Sequence, residues 1–264
     1  MISLLQLLKE AQGSPKAIIL AGAPGAGKGY ILSGLDLGGL KVLNVDDIYI
    51  DLLKKANVSL DLKNATPEER SEQAKQMATA NKEFKGDIAS TIEGKQSFIL
   101  DGTASSYNTT VKLKNELDTA GYDVFMLYVY TDLERSLSQN QNRYEKSGGK
   151  DRSLAPAIVM RTWKSVTDNL PKYADLFGNN FVAVANTLDD RMQDIDKIIN
   201  KYLKPFTPTG TKPKTPAQIE KSKLQKAKDN KEIQAMLSDD FIYDVIEYTM
   251  SKEEAQMRLK QFLS

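Results

Sequence analysis

The sequence predicts an α/β protein: a five-stranded parallel sheet flanked by helices, followed by a helical C-terminal tail. Apolar runs of strand length recur over the first two-thirds of the chain, and each is followed by a segment of helical period. The first run opens directly into a glycine-rich turn, "AGAPGAGKGY". Beyond it, "KYLKPFTPTGTKPKTPAQ" holds four Pro and one Gly and breaks the alternation.

Taken in order, "MISLLQLLKEAQG" reads as a short amphipathic helix over residues 1–12. The predicted strands are Ala17–Ala21, Lys41–Val45, Ser97–Leu100, Asp123–Tyr130 and Phe181–Ala185. Between the second and third, "TPEER" places Thr66 at a helix N-cap, Pro67 at the first helical position and Glu69 as capping-box partner. The polar helical excursion this opens runs to about Glu93, too long for a plain crossover. It either covers an acceptor substrate or only packs. A helix from Leu133 and another beginning near Leu154 bracket a basic segment at about 143–153. Residues 1–203 thus form one domain, 204–216 a Pro/Lys-rich linker and 217–264 a helical extension. Thr215–Pro216 starts one helix of that extension, and Ser251 with Glu254 forms a second capping box.

A chain of 264 residues with 41% hydrophobic and 27% charged residues suits one medium domain plus an appendage. The 36 Lys and Arg nearly balance 35 Asp and Glu, so the net charge of +1 argues against a nucleic-acid or membrane field. No run approaches the roughly 20 apolar residues of a membrane span, and the first segment lacks signal-peptide features; a cytoplasmic protein is expected. Cys and His are both absent, which removes thiol nucleophiles, imidazole bases and the usual zinc sites. Carboxylates, Lys, Arg, hydroxyls and backbone amides remain, and phosphoryl transfer needs little else.

The turn after the first strand, Gly22-Ala23-Pro24-Gly25-Ala26-Gly27-Lys28, matches the first seven positions of the P-loop pattern. Its glycines let backbone N–H groups converge on an anion at the start of the next helix. Lys28 would reach the β- and γ-phosphates of ATP, with Gly29 and Tyr30 completing the cofactor loop. The Ser or Thr that normally follows the lysine and holds Mg2+ is replaced by Gly29. The metal would then rely on carboxylates and water. Adenylate kinases share "GKG", although a Thr follows there.

The second strand ends in "NVDDIY", which delivers Asp46 and Asp47 to the carboxyl end of the sheet, where such folds bind ligands. Asp46 is assigned as base for an acceptor hydroxyl and as a magnesium-side carboxylate, and Asp47 as an acceptor contact. Alternatively, one Asp is simply a helix N-cap. The third strand ends in "ILDGTASS": Asp101 is the second metal candidate, and Gly102 and Thr103 are placed on the substrate. Arg143, Lys146, Lys150 and Arg152 around Gly148-Gly149 fit a lid that closes over phosphates; a solvated basic loop would look the same in isolation.

At these residues the chain resembles the zeta-toxin family of P-loop kinases, from about Ile18 to Asn186. The likeness rests on "GAPGAGKG", the "NVD" ending at Asp46, "ILDGTASS", "AGYDVFMLYV", "RYE" from Arg143 and "AIVMRTWKSVTDNLPKYADLF". The resemblance implies transfer of the ATP γ-phosphate to a small-molecule hydroxyl, in the best-known members that of a UDP-N-acetyl sugar. It gives Lys28 to phosphate, Asp46 to the base, and Arg143 and Arg152 to ATP phosphates or the transition state. The family's glutamate before Gly-Thr is Asp101 here, its following arginine is absent at Ala104 and Ser105, and the lid is shorter. These departures leave the acceptor open.

Between Lys201 and Lys231, nine Lys face only Glu220 and Asp229, yet no aromatic residue interleaves beyond Phe206, so base stacking is not indicated. Phe241, Ile242, Val245 and Ile246, with Thr249, mark a helical face that docks on the domain, binds a protein partner or self-associates. Two other readings stay open: a non-catalytic ATP-binding assembly protein, and a nucleotide or polynucleotide 5′-hydroxyl kinase.

Overall fold

Strand β1 (Lys16–Ala21) lies between β3 (Phe98–Asp101) and β4 (Asp123–Tyr130) and pairs in parallel with both, at the centre of the sheet in this computed structural model. The structure describes residues 13–32, 40–62, 64–152, 154–186 and 247–263, with scattered positions between 220 and 245. The sheet runs β2 (Lys41–Asn44), β3, β1, β4, β5 (Phe181–Ala185), β6 (Thr249–Met250), every pairing parallel.

The five predicted strands are present, and the continuous apolar runs of β1, β4 and β5 reflect a sheet covered on both faces there. Successive side chains of β1 point to opposite faces. Ala17, Ile19 and Ala21 join a core with Trp163, Tyr173 and Phe177. Ile18 and Leu20 join a second core with Val182, Val184, Ala255 and Leu259. No described helix is long and apolar enough to cross a membrane.

The sheet has six strands rather than five. The sixth comes from the C-terminal segment, where the sequence predicts only helix: Ala183 pairs with Thr249 and Val184 with Met250. Two residues are too few to show a period, and the exposed edge of β5 recruits them. Helix α8 (Lys252–Leu263) follows at once, with the Glu254 N–H donating to Ser251 Oγ at 3.1 Å. Of the apolar face read around residue 245, Val245 is buried in the first core. Phe241, Ile242 and Ile246 lie outside the described residues, as do the helix at 1–12, the linker at 204–216 and Thr215–Pro216.

The helices after the phosphate turn are α1 (Lys28–Leu32), α2 (Val45–Lys55) and α3 (Pro67–Glu93). Both halves of the capping box at the start of α3 are made: Glu69 N–H donates to Thr66 Oγ1 at 3.2 Å, and Thr66 N–H donates to Glu69 Oε2 at 2.8 Å. The excursion is one continuous 27-residue helix, and it buries Ala80 against Tyr49, Ile50 and Leu53 of α2. It therefore braces the helix whose first turn carries Asp46 and Asp47.

Helices α4 (Tyr107–Thr119), α5 (Leu133–Lys146), α6 (Pro156–Asp168) and α7 (Leu170–Phe177) complete the described helices of the first 186 residues. The basic lid segment differs from its predicted outline. Arg143 sits in the last helical turn of α5, and the non-helical connection begins only at Ser147. Basic residues near a helix C-terminus complement its dipole, which favours extending α5 through Arg143 and Lys146.

Candidate active site

The phosphate turn is set by close packing beneath it. Gly25 has φ +77°, and a Cβ there would come within 2.8 Å of the Ser136 carbonyl oxygen; a side chain at Gly27 (φ +86°) would land on Asn186 Nδ2. Three bonds hold the loop from below. Ser136 Oγ donates to Pro24 O at 2.6 Å, Asn186 Nδ2 donates to Ala26 O at 2.8 Å, and Gly22 N–H donates to Thr103 O at 3.2 Å. Gly22, Ala23 and Pro24 thereby form the base of the loop, while Gly25 to Tyr30 line a cavity of about 560 Å3. Asp101, Arg135, Arg143, Lys146 and Asn186 line it too.

Lys28 projects from the first residue of α1 and donates to Gly22 O at 3.3 Å. Burial pushes its proton affinity down; the Asp101 and then the Asp46 carboxylates push it back up, and Arg143 and Arg152 oppose them. Asp46, Asp101, Arg143 and Arg152 thus all lie within electrostatic reach of one ammonium group. Asp101 shows the mirror image: burial raises its pKa, Lys28 opposes that, and Asp46 and Asp47 reinforce it. Asp47 is likewise raised, first by burial and then by Asp46.

Strand β2 ends at Asn44, and it is Asn44 rather than either Asp that caps α2, its Oδ1 accepting the Asp46 N–H at 2.9 Å. Its other side-chain atom, Nδ2, donates to Asp101 Oδ2 at 3.2 Å. One asparagine thereby ties the two acidic strand ends together. Asp46 Oδ2 accepts from Arg152 Nη2, and Arg143 Nε donates to Asp151 Oδ2 in the same connection. Arg152 therefore reaches the site through the carboxylate, while Arg143 lines the cavity directly.

Thr103 does not line the phosphate cavity. With Leu100, Ala104 and Ser105 it borders a second cavity, of about 600 Å3, whose other residues come from α3 and α4. Gly102 lies in sequence between Asp101 of the first cavity and Thr103 of the second. The turn is held at three successive carbonyls: Thr103 O by Gly22 N–H, Ala104 O by Tyr173 OH at 2.6 Å, and Ser105 O by Asn169 Nδ2 at 3.1 Å.

Asn44, Arg135, Asn169, Tyr173 and Asn186 are thus site or supporting residues that sequence reasoning missed. Asn186 carried a usable signal, since it directly follows the apolar run of β5 at the carboxyl end of the sheet. The others act through contacts across 57 to 69 residues or through a cavity wall, and nothing local marks them.

Among the described residues there is no group of three or more acidic, His or Cys side chains that could cage a metal. The carboxylates facing Lys28 are Asp101 and Asp46. Mg2+ commonly takes one or two carboxylates together with phosphate oxygens and water, so this donor set fits it.

A central parallel strand, a glycine turn that cannot accept side chains and a half-buried lysine opening the next helix define the P-loop class of phosphate-binding α/β proteins. Within that class the chain belongs to the zeta toxin family, whose sequence profile matches residues 3–200. No curated protein matches it in sequence. Among solved structures it is similar to the AvrRxo1-ORF1:AvrRxo1-ORF2 complex with sulphate ions, at 16% identity over 95% of this chain and 81% of that one, TM-score 0.54. The same complex with ATP gives 17% identity over 97% and 82%, TM-score 0.52. The PezAT chromosomal toxin-antitoxin system of Streptococcus pneumoniae gives 16% over 87% and 92%, TM-score 0.47. At these identities the likeness is one of fold.

Proposed function

We propose that this chain is an ATP-dependent kinase that moves the γ-phosphate onto a hydroxyl of a small molecule, a UDP-N-acetyl sugar being the acceptor that family membership suggests. The observation that carries the proposal is the setting of Lys28, a buried ammonium at the mouth of a glycine nest with two carboxylates in electrostatic reach. Burial makes that charge costly, and a triphosphate seated on the loop amides would offset the cost. One structural neighbour, the AvrRxo1 complex, was solved with ATP, which agrees with this reading.

In the transfer, the acceptor oxygen bonds to the γ-phosphorus as the bond from that phosphorus to the β–γ bridging oxygen breaks. Asp46 takes the hydroxyl proton. Arg152 is already paired with Asp46, and Lys28, Arg143 and Lys146 would neutralise the phosphates. Asp101 and Asp46 would hold Mg2+, which when bound would supply neutralisation of the phosphate charge. Asp47 and the Gly102–Thr103 turn face the acceptor side, with the second cavity beyond Thr103 as room for it. The chain is proposed to work in the cytoplasm.

The test is ATP-dependent phosphorylation of UDP-N-acetyl sugars and a metabolite mixture, read as a mass gain of one phosphoryl group. Lys28→Ala is expected to lose both ATP binding and turnover. Asp46→Asn should lose turnover by about 100- to 10,000-fold while binding ATP normally. Full turnover by Asp46→Asn would remove Asp46 as the base.

A second reading, a nucleotide-binding assembly protein without transfer activity, is favoured by two observations. Gly29 stands where a hydroxyl side chain normally serves the metal, and the AvrRxo1 neighbours were solved as complexes with a second protein. ATP binding without transfer to any acceptor, oligonucleotide 5′ ends included, is its signature.

A further inference from the structure

The unusual residue of the phosphate loop is Tyr30, and the C-terminal helix explains it. Tyr30 is 62% exposed, yet it lines the cavity that begins at the glycine nest. The ammonium of Lys252, in the first turn of α8, sits 3.8 Å from the centre of its ring. This is a close cation–π contact between residues more than two hundred positions apart. It is not a chance graze of two surface side chains, because α8 is fixed at this spot. Gln256 Nε2 donates to Ile31 O at 2.9 Å, one residue beyond Tyr30, and Ala255 and Leu259 are buried against Ile18, Leu20 and Val184. Phe262 packs on Phe125 with ring centres 4.9 Å apart, at the far end of the same helix.

We infer that Tyr30, braced by Lys252 of the C-terminal helix, is the platform on which the nucleoside half of the bound nucleotide stacks. This rests on the phosphate-loop reading of the same cavity. If the phosphates occupy the amides from Gly25 to Lys28, the base and ribose must lie in the remaining space, past Gly29. Among the residues lining that space Tyr30 is the sole aromatic; the others are glycine, alanine, amide, acidic and basic side chains. A purine placed there finds in the Tyr30 ring a π-face to cover it, and such stacking is worth about a tenfold change in affinity or more per base. Lys252 holds the ring in one orientation. Replacement of the usual Ser/Thr-containing turn by Gly29-Tyr30 thereby shifts part of the nucleotide's recognition from the metal side to the base side. It also makes the last helix of the chain part of the nucleotide site.

The experiment is calorimetric affinity for ATP and, separately, for tripolyphosphate, with wild type, Tyr30→Leu, Tyr30→Phe, Lys252→Met and Lys28→Ala. Tyr30→Leu should weaken ATP about tenfold and leave tripolyphosphate unchanged. Tyr30→Phe should retain wild-type ATP affinity, and Lys252→Met should weaken ATP about threefold, again without touching tripolyphosphate. Unchanged melting temperatures without ligand separate these effects from misfolding. Equal weakening of ATP and tripolyphosphate in Tyr30→Leu, or no weakening of either, overturns the inference. If wild type and Lys28→Ala alike bind neither ligand, the phosphate-loop reading itself is what fails.

Discussion

Burial moves Lys28 and Asp101 in opposite directions along the pH scale, and each is expected to cost stability for the sake of the site. The Asp101 carboxyl has its pKa raised in the folded protein, chiefly by desolvation. A raised folded pKa contributes stability that is complete below the ordinary value of 3.8 and is lost as pH rises through the folded value. Asp101→Asn should therefore melt higher than wild type at neutral pH, and the gain should shrink as pH falls toward that ordinary value. Turnover should fall throughout, since the neutral amide is a poor magnesium ligand. Lys28 has a depressed folded pKa, so its burial costs stability over all of the range below that pKa, and the cost fades only as pH rises toward 10.5. Lys28→Met is accordingly expected to raise the melting temperature at neutral pH while abolishing ATP binding. Thermal melts beside ATP titrations check both variants, and a Lys28→Met protein that melts lower than wild type would contradict the burial argument. The residue types at these positions were legible from the sequence because their spacing after a strand is characteristic. Their electrostatic coupling was not, because it depends on how far each is withdrawn from water.

Among the elements, the phosphate turn and the long helix α3 show how differently local and non-local information enter. The Thr66–Glu69 capping box lies within four residues, so it could be read directly, and its structure agrees. Thr66→Ala should cost about 1 kcal/mol in chemical denaturation. The turn is held instead from a distance. Gly25→Ala would drive a methyl group against the fixed Ser136 carbonyl, at a positive φ, and should cost about 1–3 kcal/mol by the same measurement. Gly27→Ala meets a side chain, Asn186, which can swing away but then gives up its bond to Ala26 O. Its penalty should fall when Asn186→Ala is combined with it, a coupling that a double-mutant cycle would read. The outline of the lid illustrates the opposite error. Gly148-Gly149 marks a break correctly, with both residues at positive φ, but α5 carries its periodicity through Arg143 and Lys146 before that break. Composition locates a loop's centre better than its edges, because helix termini are set by capping and tertiary contact.

For the whole molecule, the decisive feature is that the chain's last described segment belongs to its first sheet. Strand β6 covers the edge of β5, and α8 covers Ile18, Leu20, Val182 and Val184. Leu259→Ala should cost about 2–5 kcal/mol. Removal of residues 249–264 would bare an apolar face and an unpaired strand edge, and is expected to give an aggregating protein in size-exclusion chromatography. The sequence alone determined the five long strands, the phosphate turn, the acidic strand ends and the start of α3. Each of these is written in spacing of two to four residues, where hydrogen bonding and side-chain periodicity act within a single segment. Only the tertiary structure decided that Arg152 reaches Asp46, that Asn44 joins Asp101, that a sixth strand exists and that Lys252 lies over Tyr30. These pairings close loops of tens to hundreds of residues, and their free energy comes from burying the whole sheet, which no short stretch of sequence contains.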